Sequence, residues 1–80
     1  MGGNSDTIQQ FTYGTVHPWV SGWWMVNTTN PDIREWLLEL RWSQDCGDYT
    51  SCDGVTDYAI LVSSSNLRRV SEILEGHNGC

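Results

Sequence analysis

The chain has 80 residues and a formal net charge of −6 at pH 7, from ten acidic and four basic side chains. The four basic residues are all arginine, and a surface with this excess of carboxylates repels phosphate, which argues against direct binding to nucleic acid or to an anionic membrane. The length predicts one domain, residues 1–80, with a small core.

The number of cysteines and the hydropathy pattern indicate the cellular compartment in which the protein is expected. Three cysteines are an odd number, which argues against the disulfide framework of a small secreted domain. The N-terminal segment lacks the basic and apolar regions of a signal peptide, and no apolar run approaches the roughly 20 residues of a membrane span. We therefore expect a cytoplasmic protein, with frayed tails at 1–6 and 77–80.

Two strands are predicted in the first third of the chain. Apolar and polar residues alternate over 7–15, and the segment 19–29 is rich in tryptophan and β-branched residues. Residues 14–18 between them end in proline and are predicted to form a hairpin loop. Trp23 and Trp24 are successive strand residues and must point to opposite faces of the sheet, so one of them leaves the helix-covered face.

A helix is predicted from Pro31 to about Trp42. Asn30 can accept a hydrogen bond from a first-turn amide as N-cap, and Pro31 suits the first helical position. One apolar stripe follows the helical period and consists of Ile33, Trp36, Leu37 and Leu40. If this stripe faces the sheet, Leu38 and Trp42 face outward.

The second half is predicted to contain a loop, a strand and a helix. Residues 43–54 are polar and acidic and are predicted to form a long loop, whereas 55–62 become apolar on both faces, as in a central strand. The path from strand to helix to strand predicts a right-handed parallel crossover. A second helix begins after Ser65 or Asn66 and ends at Gly76. The predicted fold class is α+β: a two-layer ββαβα fold with a three-stranded sheet and two helices on one face.

Two surface features are candidates for binding a partner. Four aspartates fall within thirteen positions that contain no base, and the aromatic residue Tyr49 lies among them. Such a segment is either a solvated loop or an anionic docking surface around an aromatic anchor. The outward side of the first helix is the second feature. The predicted partner-binding residues are Asp45, Asp48, Tyr49, Asp53, Asp57, Glu35, Leu38, Glu39 and Trp42.

No pattern of catalytic, metal-binding or cofactor-binding residues stands out. His17 and His77 lie in no motif with a nucleophile, and the acidic segment does not match an EF-hand. Cys46 and Cys52 are six positions apart, so a zinc site would need His77 and Cys80 as further ligands. Free thiols are the preferred interpretation, and a local disulfide and a zinc site are the alternatives. We expect a protein that is not an enzyme and holds no cofactor and no metal.

In size, acidity and absence of motifs, the chain resembles the small inhibitors that phages carry against bacterial defence, the anti-CRISPR proteins. This resemblance implies a non-enzymatic inhibitor, acting in the host cytoplasm, that covers the cationic surface of a nucleic-acid-binding effector complex as a DNA mimic. The chain also resembles acidic immunity proteins and antitoxins, which neutralise basic nucleases. A third hypothesis is a homodimeric structural subunit, held together by outward-facing aromatic residues.

Overall fold

The computed structural model describes residues 8–76, and the predicted frayed tails at 1–6 and 77–80 lie outside this range. A 3₁₀ turn separates the last strand from the second helix. The strands and helices, in chain order, are β1 (Gln9–Phe11), β2 (Gly14–Val20), β3 (Trp23–Thr28), α1 (Pro31–Leu38), β4 (Ser43–Thr50), β5 (Thr56–Ser63) and α2 (Leu67–Leu74).

The strands form one antiparallel sheet in the order β1-β2-β3-β5-β4, so the predicted three-stranded ββαβα fold is wrong. Residues 14–18, predicted as a loop, form most of β2, and most of the predicted acidic loop is β4. The predicted parallel crossover is also wrong, because the strand predicted at 55–62 is β5, which runs antiparallel to β3. Helix α1 instead leads to β4 at the edge of the sheet, and β5 returns between β3 and β4.

Strand β2 tolerates a proline because of its position in the sheet. In the described part of the chain, β1 pairs with β2 only as far as Val16. Pro18 lies beyond that point, and the register with β3 shifts between Pro18 and Val20. Proline is accommodated at such bulges and free edges because no ladder hydrogen bond requires its missing donor. The turn to β3 follows and contains Gly22 at φ +81°.

Both helices cover the same face of the sheet and share one core. The buried residues of this core are Val16, Val26, Ile60 and Val62 from the sheet, Ile33 and Leu37 from α1, and Val70, Ile73 and Leu74 from α2. The register confirms the predicted separation of the tryptophans. Trp24 pairs with Val62 and packs against the core, and Trp23 pairs with Ser63 and lies on the uncovered face.

Helix α1 begins as predicted and ends earlier. The Asn30 side-chain oxygen accepts hydrogen bonds from the amides of Asp32 at 2.8 Å and Ile33 at 3.3 Å. The last helical residue is Leu38, because the chain must turn back to enter β4, and this turn puts Trp42 at φ +58°. The prediction that Leu38 faces outward is wrong, since its side chain is half-buried against the core.

Candidate partner-binding site

The predicted acidic segment forms the edge strand β4 and the turn into β5. Asp45 pairs with Ile60 and Asp48 with Tyr58, whereas Tyr49 pairs with Asp57. Alternation along the strands therefore places Asp45 and Asp48 on the helix-bearing face and the Tyr49–Asp57 pair on the uncovered face. A bulge between Asp45 and Asp48 brings both to the same face, although they are three positions apart.

Asp45 joins the edge strand to the first helix. Its carboxylate accepts hydrogen bonds from Arg34 at 2.7 Å and from the Gly47 amide at 2.8 Å. These hydrogen bonds, led by the one from Gly47, hold the pKa of Asp45 below its ordinary value. The Arg34 guanidinium also pairs with Glu35 at 3.2 Å and lies 5.4 Å from the ring centre of Tyr58. The charges of Asp45 and Glu35 are thus partly neutralised within the protein.

Asp53 is engaged in the turn between β4 and β5. Its carboxylate accepts hydrogen bonds from the Ser51 hydroxyl and, at 3.3 Å, from the Val55 amide. The hydrogen bond from Ser51 lowers the pKa of Asp53 most, and the Val55 amide adds to the effect. The turn is therefore held in shape by Asp53, which keeps a negative charge at the tip of the hairpin.

The acidic side chains are concentrated at one end of the sheet. We call this the acidic end, and it comprises Asp32, Asp48, Asp53 and Asp57. These residues lie near one another because α1 and β5 begin, and β4 ends, at the same end of the sheet. In the described part of the chain, the carboxylates of Asp32, Asp48 and Asp57 have no recorded ion pair or hydrogen bond and are exposed.

Two of the four arginines lie at the other end of the sheet. Arg41 precedes β4 and Arg68 lies in the first turn of α2, both near the end of β5, and the Asn66 side chain donates a hydrogen bond to the Arg41 carbonyl oxygen. An eight-residue strand such as β5 is roughly 20–25 Å long, which exceeds the Debye length of about 8 Å at physiological salt. The negative potential of the acidic end is thus little reduced by these arginines.

An open groove with a volume of about 1020 Å³ runs along the acidic end. Its walls come from the start of β2, the end of β3, the start of α1 and the hairpin between β4 and β5, and neither lysine nor arginine lines it. The side chains that matter here are Tyr13, Asn27, Asp32, Tyr49, Val55 and Asp57. Only Tyr49 and Asp57 among them were predicted from the sequence, because no spacing along the chain shows that these separate segments meet.

The remaining predicted residues lie elsewhere. Leu38, Glu39 and Trp42 lie between the end of α1 and the start of β4, away from the acidic end. The Trp42 residue is 67% exposed, and Glu39 is exposed at the C-cap of α1. The structure thus separates the predicted patch around Trp42 from the predicted acidic surface, although both border the same edge strand.

The uncovered face of the sheet is apolar away from the acidic end. Met25 is buried there between its cross-strand neighbours His17 and Leu61. The rings of His17 and Trp19 meet edge to face with centroids 6.0 Å apart, and Trp19 is 58% exposed. The exposed tryptophan of this face is therefore Trp19, whereas Trp23, the one of the Trp23–Trp24 pair that leaves the covered face, is half-buried.

The cysteines and possible metal ligands of the described residues form no further site. Cys46 and Cys52 are exposed, unbridged thiols, and within 8–76 no group of three or more His, Cys, Asp or Glu side chains could hold a metal ion. His77 and Cys80, which a zinc site would need, lie outside the described residues. Across 8–76, neither helix has the length and apolarity to cross a bilayer.

Comparisons of this chain with protein-family models, with curated proteins and with solved structures gave no match.

Proposed function

We propose that this protein is a non-enzymatic inhibitor that binds a basic, nucleic-acid-handling protein in the cytoplasm through its acidic end. One observation carries the proposal: unpaired carboxylates from α1, β4 and β5 gather at one end of the sheet, and Arg41 and Arg68 lie at the other. A partner whose cationic surface normally binds phosphates would meet carboxylates in their place.

The chemistry of the acidic end suits such a contact. Asp57 is exposed on the uncovered face near the β4–β5 hairpin, beside its cross-strand neighbour Tyr49, which is 70% exposed, and Asp48 is exposed on the opposite face. Opposite potentials accelerate encounter and fix the orientation of the partners, and a buried aromatic residue then supplies much of the affinity. The exposed Tyr49 beside the carboxylate of Asp57 provides both contributions.

The test begins with the intact protein immobilised as bait. Proteins retained from a bacterial lysate at low salt and released at roughly 1 M salt, where the Debye length is about 3 Å, would be identified and purified. The affinity of each for the bait and for its own nucleic acid would then be measured. We expect one basic protein to bind and to lose its nucleic-acid binding in the complex, and a nuclease in this place would favour the immunity-protein or antitoxin alternative.

Two charge reversals of equal size make this test specific. Asp57→Lys and Glu39→Lys each raise the formal net charge of −6 by two, but Asp57 belongs to the acidic end and Glu39 lies at the C-cap of α1, away from it. We expect Asp57→Lys to weaken binding by about tenfold or more, since a like charge then faces the partner. Equal effects of the two variants would show that only net charge matters, and the proposal would be abandoned.

The uncovered sheet face favours a second candidate, the homodimeric subunit. Trp19 and Val20 are 58% and 57% exposed beside the buried Met25, and apolar surface of this kind often marks an interface. Light scattering would distinguish the candidates, because a dimer held by apolar contacts persists in high salt. A monomer at every salt concentration would exclude the dimer and leave the inhibitor proposal standing.

A further inference from the structure

The groove at the acidic end has a shape suited to an extended segment. It is open to solvent along its length, and its volume of about 1020 Å³ reaches the upper limit of sites for single small molecules. Four stretches of chain line it, from the start of β2 to the β4–β5 hairpin. An occupant would therefore lie across the ends of the strands and place individual side chains between the walls.

One aromatic wall is fixed by the fold. The Tyr13 amide donates a hydrogen bond to the Leu74 carbonyl oxygen at 2.8 Å, and the Tyr13 carbonyl oxygen accepts one from the Thr28 hydroxyl at 2.6 Å. Thr28 is itself buried, so the backbone of Tyr13 is held on both sides. The opposite wall contains Tyr49, which is 70% exposed. Tyr13 and Tyr49 thus both line the groove, and hydrogen bonds fix the backbone of Tyr13.

Polar groups in the groove are available to a ligand. The described structure records no hydrogen bond or ion pair for the carboxylates of Asp32 and Asp57 or for the carboxamide of Asn27. Asp45 and Asp53, by contrast, are engaged within the protein and do not line the groove. The groove therefore combines aromatic faces with acceptors that lack partners, and it contains no competing cation.

We propose that this groove binds an arginine side chain carried on an extended segment of the basic partner. The inference rests on the proposed function and specifies the chemistry that the acidic end recognises. A guanidinium group can stack on a phenol ring while its N–H groups donate to a carboxylate, so Tyr49 and Asp57, which are cross-strand neighbours, can contact it together. The more compact and more strongly hydrated lysine ammonium stacks less well.

The probe is the peptide acetyl-Gly-Arg-Gly-amide, titrated into the ¹⁵N-labelled protein and followed by NMR. We expect saturable shifts at the amides of Asn27, Tyr49 and Val55, with weaker binding of the peptide that carries lysine. The peptide with citrulline in place of arginine is the matched control, because it has nearly the same shape without the charge, and it should give no saturable shifts. Saturable shifts of the same size from citrulline, or shifts confined to other parts of the protein, would overturn the inference.

Three variants locate the binding. Asp57→Asn and Tyr49→Leu should each weaken arginine-peptide binding by about two- to fivefold, as for an exposed ion pair or cation–π contact. Asp48→Asn removes an equal charge that belongs to the acidic end but lies outside the groove, and it should weaken peptide binding by less than about twofold. If Asp48→Asn and Asp57→Asn act equally, the groove is not the site, although a diffuse electrostatic contact with the basic partner would survive. If the groove binds the peptide but no basic protein is captured, the proposed function fails alone.

Discussion

The left-handed backbone of Trp42 gives a test of the fold that needs no partner. Trp42 is the one non-glycine residue among 8–76 with a positive φ, at +58°. Its conformation is held by hydrogen bonds on both sides: its carbonyl oxygen accepts from the Ser63 amide at 3.1 Å, and the Ser43 hydroxyl donates to the Leu40 carbonyl oxygen at 2.8 Å. The surrounding structure therefore keeps an L-residue in a conformation that suits glycine.

The comparison is between Trp42→Gly and Trp42→Ala, since both variants lose the same indole contacts. The left-handed conformation costs an L-residue about 1–2 kcal/mol, and glycine avoids this cost. Glycine in turn loses about 0.5–1 kcal/mol more than alanine through its greater freedom in the unfolded chain. We therefore expect Trp42→Gly to be more stable than Trp42→Ala by about 0.5–1 kcal/mol, a difference of about 5 °C in Tm for a domain of this size.

The free energy of unfolding would be measured by urea denaturation, with equal m-values required of the two variants. Tyr49 provides the matched control because it is 70% exposed, close to the 67% of Trp42, and lies in a strand without a positive φ. There the order should reverse, with Tyr49→Gly less stable than Tyr49→Ala. If the glycine variant is the less stable one at both positions, the reasoning about Trp42 is refuted.

Three other predictions concern stability. Leu37 is fully buried, so Leu37→Ala should lower the free energy of unfolding by about 2–5 kcal/mol in chemical denaturation. Gly14→Ala should lower Tm by overpacking, because the added Cβ atom would overlap the backbone oxygen of Asn27. An unchanged Tm would show that the backbones of residues 14 and 27 are not this close. Hydrogen bonds from Gly47 and Arg34 lower the pKa of Asp45 in the folded protein. The ionised carboxylate therefore stabilises the fold fully at pH values above its ordinary pKa of 3.8. This stabilisation is lost as the pH falls through the lower pKa that Asp45 has in the folded protein. The Tm difference between the parent and Asp45→Asn should therefore narrow on acidification below about pH 4, and a constant difference would contradict this assignment.

The predictions that succeeded rest on interactions between residues close in sequence. Asn30 caps the first helix, and Gly76 follows the second at φ +96° with its amide bonded to the Ile73 carbonyl oxygen at 2.9 Å. The apolar stripe of the first helix was also predicted, and Ile33 and Leu37 are buried as expected. These features depend on capping residues and on the helical spacing of apolar residues, and both can be read from the sequence of a single segment.

The edge strand shows why the sheet was mispredicted. Residues 43–50 lack the alternating apolar residues of a half-buried strand, which is why the sequence predicts a loop there. They form a strand because β5 offers a free edge for hydrogen bonding, and seven of the eight residues stay exposed. Without β4, the chain would run from β3 through α1 directly to β5, and such a path predicts a parallel crossover instead of the antiparallel pairing of β3 with β5.

The sequence by itself determined the charge, the two helices with their apolar faces, and the separation of Trp23 from Trp24, because each follows from composition or from the period of one element. Only the tertiary structure decided that the sheet has five antiparallel strands, that Arg34 engages Asp45, and that a groove forms where the strand ends meet. These features join segments that are distant in the chain, and contacts of that kind are set by packing and strand pairing rather than by any local pattern.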